Sequence, residues 1–159
     1  MRPIPLALPF ILFAAAASAE DCPSWQIGDL TITDAWSRAT IGTNRPAVFY
    51  AEILNAGPED DALVAISTPV ADMPMLHETV VRDGVASMPH AMSVPVPAGG
   101  SASLEPGGFH GMLMGLNAAL AEDESFPLTM TFEKAGEVTI DVGITAMNGR
   151  GPTCRIDGS

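Results

Sequence analysis

Positive charge is scarce in this chain. Seven Lys and Arg stand against 19 Asp and Glu, a formal net charge of −12. Such a surface repels nucleic acid and anionic membranes, and neither is expected as a partner. Cysteine is nearly absent: only Cys22 and Cys154 occur, and not as a CxxC, which excludes a thioredoxin-like motif. Aromatic residues make up 6% of the sequence. After residue 17 no long apolar run remains, so stable membrane insertion is not expected. There is no HExxH, no phosphate loop and no Ser/His/Asp order. Nothing singles out a pair of carboxylates for acid–base work, and the chain is not expected to be an enzyme. A βαβ rhythm, a long amphipathic helix, an internal repeat and a low-complexity segment are all missing.

What is present begins with an export signal. Arg2 precedes an apolar stretch from Ile4 to Ala17, which ends in Ala17-Ser18-Ala19, a small-x-small cleavage pattern. Pro5 and Pro9 interrupt that stretch, and it is short for a membrane-spanning helix. Residues 1–19 therefore read as a signal peptide cleaved after Ala19, and residues 20–159 as the exported domain. In a Gram-negative cell that domain would be periplasmic. Glu20 and Asp21 do not make a lipidation box ahead of Cys22. In an oxidising compartment Cys22 and Cys154 are expected to pair and close nearly the whole domain. The chain-entropy model allows roughly 4–5 kcal/mol for loops on the order of 100 residues. The rival reading of the two cysteines is a thiolate metal site or a redox pair.

The exported part alternates like strands. Leu30 to Trp36, Ala47 to Leu54, Leu63 to Thr68, Met75 to Val81, Val85 to Met88, Ser101 to Leu104, Phe109 to Leu116, Pro127 to Glu133 and Val138 to Ile144 read as strands, with Met92 to Val96 as a further one. Pro69 and Pro74 bracket a connection, and Arg82-Asp83-Gly84 and Lys134-Ala135-Gly136 are hairpin turns. Residues 117–124 predict a turn or a short helix at most. Short strands punctuated by Gly and Pro predict an all-β single domain, an antiparallel β-sandwich or barrel. Its core would span about 30–144, with residues 145–159 a polar tail tied down only by Cys154.

The chemistry concentrates between Met73 and Leu116. That stretch holds all three histidines (His77, His90, His110) and six of the nine methionines. Imidazole and thioether are neutral ligands, and soft thioether favours Cu(I). Residues i and i+2 of a strand share a face, so His110 and Met112 point the same way. His77 and Met88 lie on the two arms of a hairpin and can approach each other across it. Two nitrogens and two sulfurs would suit Cu(I). His90-x-Met92 is a second pair of the same kind, and residue chemistry alone does not separate it from His110-x-Met112. A blue-copper carrier needs a thiolate among its ligands, and neither cysteine lies in this stretch.

The spacing is also a family pattern. His77, ten residues, Met88, twenty-one residues, then His110-x-Met112 resembles the metal motif of the periplasmic copper chaperones of the PCu(A)C family. The surroundings agree: Asp83-Gly84-Val85, Pro97-Ala98-Gly99-Gly100, Leu104-x-Pro106-Gly107-Gly108-Phe109-His110, and Met112-Leu113-Met114-Gly115-Leu116. Ala35-Trp36-Ser37-Arg38 and Leu54-Asn55-Ala56-Gly57 extend the likeness upstream, so that it covers roughly Leu30 to Ile144.

The resemblance implies a cupredoxin-like, Greek-key β-sandwich. It implies Cu(I) held by His77, Met88, His110 and Met112. It further implies delivery for assembly of the CuA centre of cytochrome c oxidase, with oxidase subunit II or a Sco-type protein as acceptor. His90 and Met92 are candidates to assist the ion. Met114, on the face of His110 and Met112, is an auxiliary candidate with packing as its simpler role. Met73 and Met75 are candidates to guard the mouth of the site. The sequence departs from many relatives at Thr79 and Ala86, where further methionines are common, and lacks a His- and Met-rich tail. Two other readings are a copper buffering or resistance protein that does not deliver, and a metal-free interaction module.

Overall fold

Alternation along the last two strands shows how this sequence builds a core. Phe126, Leu128, Met130 and Phe132 are buried on one strand, and Ile140, Val142 and Ile144 on the next, while the residues between them face water. Each fully buried aliphatic or aromatic side chain contributes about 1.5–3 kcal/mol relative to an exposed one. The structure, a computed structural model, describes residues 22–153.

Twelve strands follow one another: β1 (Trp25–Ile27), β2 (Leu30–Arg38), β3 (Ala47–Asn55), β4 (Asp61–Ser67), β5 (Ala71–Glu78), β6 (Val80–Arg82), β7 (Val85–Ser87), β8 (Val94–Val96), β9 (Ser101–Leu104), β10 (Phe109–Leu116), β11 (Ser125–Phe132) and β12 (Gly136–Thr145). Ten of them form one sheet in the order β5-β10-β9-β3-β2-β12-β11-β4-β8, with β1 on β2 and a direct β10–β3 pairing. The sheet folds over a single core in which Ile32, Phe49, Ile53, Leu63, Val94, Leu113, Leu128 and Ile140 are fully buried. The all-β sandwich expected from the sequence is the fold observed. Most pairings are antiparallel, but β12–β2 and β10–β9 run parallel. β6 and β7 stand apart as a two-stranded hairpin. Its turn residues Asp83 and Gly84 have φ of 51° and 77°, the left-handed pair that a two-residue hairpin needs.

Three local expectations are corrected. Pro74 lies inside β5, opposite Leu113, and does not end a connection. β5 is the terminal strand of the sheet order, where a residue without N–H is tolerated. Met75 to Val81 is not one strand, because the chain breaks at Thr79 between β5 and β6. Residues 117–124 form turns, as expected. The tail has a second anchor besides any bond at Cys154: Arg38 Nε donates to the Gly149 carbonyl at 2.8 Å, and its guanidinium lies 5.5 Å from the Trp36 ring. The short strand β1 carries too few residues to show a period. The expected signal peptide over residues 1–19 and Cys154 lie outside the described residues. Cys22 lies just inside them and lines a small cavity with Pro152 and Thr153, so the two ends of the described chain meet.

Candidate metal centre

β5 and β10 are antiparallel, and their register sets the site. His77 is directly opposite His110, Met75 opposite Met112, and Met73 opposite Met114. These six residues share one face of the two strands, because strand side chains alternate. The other face carries Leu76, Gly111 and Leu113, all buried. Gly111 is required there: a Cβ would stand 2.9 Å from both Ile66 Cδ1 and Phe49 Cβ. The core thus seats β10 with His110 and Met112 turned the other way. Val48 of β3 flanks Met112 on its far side.

The β6–β7 hairpin brings the third histidine back to the same place. His90 forms an isolated bridge with His77. Glu78 N–H donates to the Pro89 carbonyl at 3.2 Å and Ala91 N–H to the Leu76 carbonyl at 2.8 Å. That pattern makes His77 and His90 a non-hydrogen-bonded pair, the closer of the two kinds of antiparallel pair. The His77 ring centroid is 6.0 Å from that of His110 and 6.1 Å from that of His90. His77 is therefore the middle of a row of three imidazoles.

Hydrogen bonds select the free nitrogens. His77 Nδ1 lies 3.0 Å from the Met88 carbonyl, and His110 Nδ1 lies 3.1 Å from the Gly108 carbonyl. A carbonyl oxygen only accepts, so in both rings Nδ1 carries the hydrogen and the neutral ring keeps its lone pair on Nε2. Backbone carbonyls commonly orient metal-binding histidines in this way. His77 Nε2 is buried and has no hydrogen-bond partner. A buried polar atom without a partner is costly, and a metal ion is one thing that would satisfy it. His110 is only 4% exposed.

The methionines are distributed unevenly. Met112 and Met75 are half-buried beside the histidines. Met88 meets His77 through its backbone, and its side chain is 52% exposed. Met92 is 81% exposed, while His90, two residues before it, bridges to His77. Among the described residues, no group of three or more His, Cys, Asp or Glu is placed to hold a metal ion. Nitrogen and carboxylate alone do not complete a site here, so an ion at His77 and His110 would need thioether sulfur. The pairing of Met75 with Met112 and Met73 with Met114 is absent from the sequence reading. Its signal was available: Met73-x-Met75-x-His77 mirrors His110-x-Met112-x-Met114, but Pro74 obscures the first as a strand.

Residues 30–144 match the family described as "Putative lipoprotein LpqE-like". A protein of Leifsonia xyli subsp. xyli (strain CTCB07), named "Putative lipoprotein Lxx21020", is 32% identical over 134 residues, which are 84% of this chain and 79% of that protein. The apo PCuAC domain from PmoF1 is 30% identical with a TM-score of 0.67, over 78% of this chain and 99% of that domain. The solution structure of CuI-DR1885 from Deinococcus radiodurans is 25% identical with a TM-score of 0.59, over 82% of this chain and 85% of that one. The family match spans every strand from β2 to the end of the last core residue of β12, and with them all three histidines.

Proposed function

The chain belongs to the LpqE-like, PCuAC-type family, and on that premise we propose that it is an exported Cu(I)-binding protein that hands its ion to another protein. The ligands in this reading are Nε2 of His77, Nε2 of His110, and the sulfurs of Met112 and Met88. The observation that supports it best is the pair of opposed imidazoles. Both are turned by backbone carbonyls so that Nε2 is free, and one of those nitrogens is buried without a partner. Copper here is cargo. Imidazole and thioether hold Cu(I) without a thiolate, which suits a compartment where cysteines pair. CuI-DR1885 is a relative whose structure contains that ion.

Release follows from the same geometry. His77, His110 and Met112 belong to the sheet, whereas the Met88 side chain is half in water. An incoming ligand from an acceptor would displace Met88 first and leave the ion on three groups until it moves. The acceptor in this reading is the CuA-bearing subunit II of cytochrome c oxidase or a Sco-type protein. The export signal over residues 1–19, cleavage after Ala19, a periplasmic location and a Cys22–Cys154 disulfide complete the proposal. Export also fits the lipoprotein names of the family and of the Leifsonia relative.

The test is one equivalent of Cu(I) presented with a competing chelator. The wild-type chain should bind one ion, and His110→Ala/Met112→Ala should lose it. Retention of full affinity by that variant would remove the site. A subsequent transfer assay to an apo CuA domain separates delivery from buffering: copper that stays behind identifies a buffer.

A further inference from the structure

The row of opposed pairs does not stop at the histidines. Beyond His77–His110 come Met75–Met112 and then Met73–Met114, all on one face. We propose that Met73, Met75 and Met114 form a second, all-thioether site for Cu(I) or Ag(I), adjoining the histidine site and feeding it. The proposal rests on the copper reading above, but it concerns different residues.

Three observations carry it. Directly opposed side chains have Cβ atoms about 4.5–5.5 Å apart, and successive same-face positions along a strand lie about 7 Å apart. Three flexible thioethers at such spacing can converge on one ion, while Met112 remains with the histidines. Second, this face is not sealed as a packing face. Met73 is 54% exposed and Met75 and Met114 are half-buried. β5 is the terminal strand of the sheet order, and among the described residues its outer edge is bridged only at His77, by His90. Third, the pairs contribute sulfur and no other ligand atom. A set of three neutral thioethers favours soft monovalent ions such as Cu(I) over calcium and other hard cations. An ion captured at the exposed Met73 end would sit one strand repeat from Met112, so it could pass inward by exchanging one thioether at a time.

The test uses the chain as purified from the cell, with 13C-methyl methionine and Ag(I) as a redox-inert probe. One Ag(I) should shift the Met88 and Met112 methyls and the His77 and His110 rings. A second should shift Met73, Met75 and Met114. Met73→Leu/Met75→Leu/Met114→Leu keeps side-chain volume and should bind one ion with unchanged affinity. Met73→Leu alone, at an exposed position, should weaken the second ion at least tenfold and serves if the triple variant does not fold. His77→Ala/His110→Ala should retain the shifts at Met73, Met75 and Met114. Uptake of a single ion at the histidines by the wild type would overturn the second site and leave the first standing. Uptake only at the three methionines would do the reverse. No uptake would end both.

Discussion

His77 and His110 face each other across β5 and β10, with ring centroids 6.0 Å apart and each Nδ1 bound to a backbone carbonyl. Both rings are therefore oriented before any ion arrives. Losing a group that merely orients a metal ligand costs about 10–100-fold in affinity. Losing an oriented ligand should cost at least the upper end of that range. We expect His77→Ala and His110→Ala each to weaken Cu(I) binding by about 100-fold or more, and Met88→Leu by about tenfold or less, because Met88 is half in solvent. Competition titrations of the three variants give the ranking directly. Equal losses at all three positions would contradict it.

Gly111 ties the site to the core. It sits between His110 and Met112 and presses on Phe49 and Ile66 where no Cβ fits. Gly111→Ala should destabilise the fold by about 1–3 kcal/mol, the usual cost of overpacking. Because β10 would have to shift, copper affinity should fall with stability. Urea unfolding of the apo variant measures the first effect and chelator competition the second. Unchanged stability would mean that β10 is free to move away from the core.

Much of this was legible in the sequence, for physical reasons. Period-two alternation in Leu128-x-Met130-x-Phe132 and Val138-x-Ile140-x-Val142 located the core strands, and Asp83-Gly84 located the hairpin turn. His110-x-Met112 shared a face by the same period. What stayed hidden depended on register. No local pattern says that His77 lies opposite His110 or that His90 returns to bridge His77, since pairing between distant strands is set by the whole sheet. Pro74 concealed the matching row on β5, because proline reads as a strand end unless the strand is known to lie at an edge. The polar tail read as tied down only at Cys154 because its second anchor, Arg38 to Gly149, joins positions far apart in the chain.

Asp61 predicts an acid response. Burial pushes its pKa up, but backbone N–H donors of Lys134, Ala62 and Ala135, and the Lys134 charge, outweigh this and leave it below its ordinary value of 3.8. The donors lie at 2.9, 2.8 and 2.9 Å and pin the start of β4 to the β11–β12 turn. A depressed folded-state pKa means stabilisation that is complete above 3.8 and fades as pH falls through the folded value. Asp61→Asn should therefore cost about 1–2 kcal/mol at neutral pH, since bonds to a charged acceptor are the stronger ones. The gap to wild type should narrow below pH 3.8. Denaturation curves at several pH values test this; a gap that grows in acid would refute the assignment.

The tail offers the last test. Arg38 donates to the Gly149 carbonyl and lies 5.5 Å from the Trp36 ring and 5.8 Å from the Tyr50 ring. Its charge also opposes the rise that burial imposes on the Tyr50 pKa. If Cys22 and Cys154 are joined as proposed, the tail has two restraints, one covalent and one through Arg38. In the oxidised protein, Arg38→Ala should cost about 1–2 kcal/mol, a charged hydrogen bond and a cation–π contact partly compensated by the covalent tie. After reduction the same substitution should release residues 147–153, seen as fast amide exchange there, while reduction of the wild type costs roughly 2–5 kcal/mol. Non-reducing peptide mapping decides whether the bond exists. If it does not, reductant will change neither exchange nor stability.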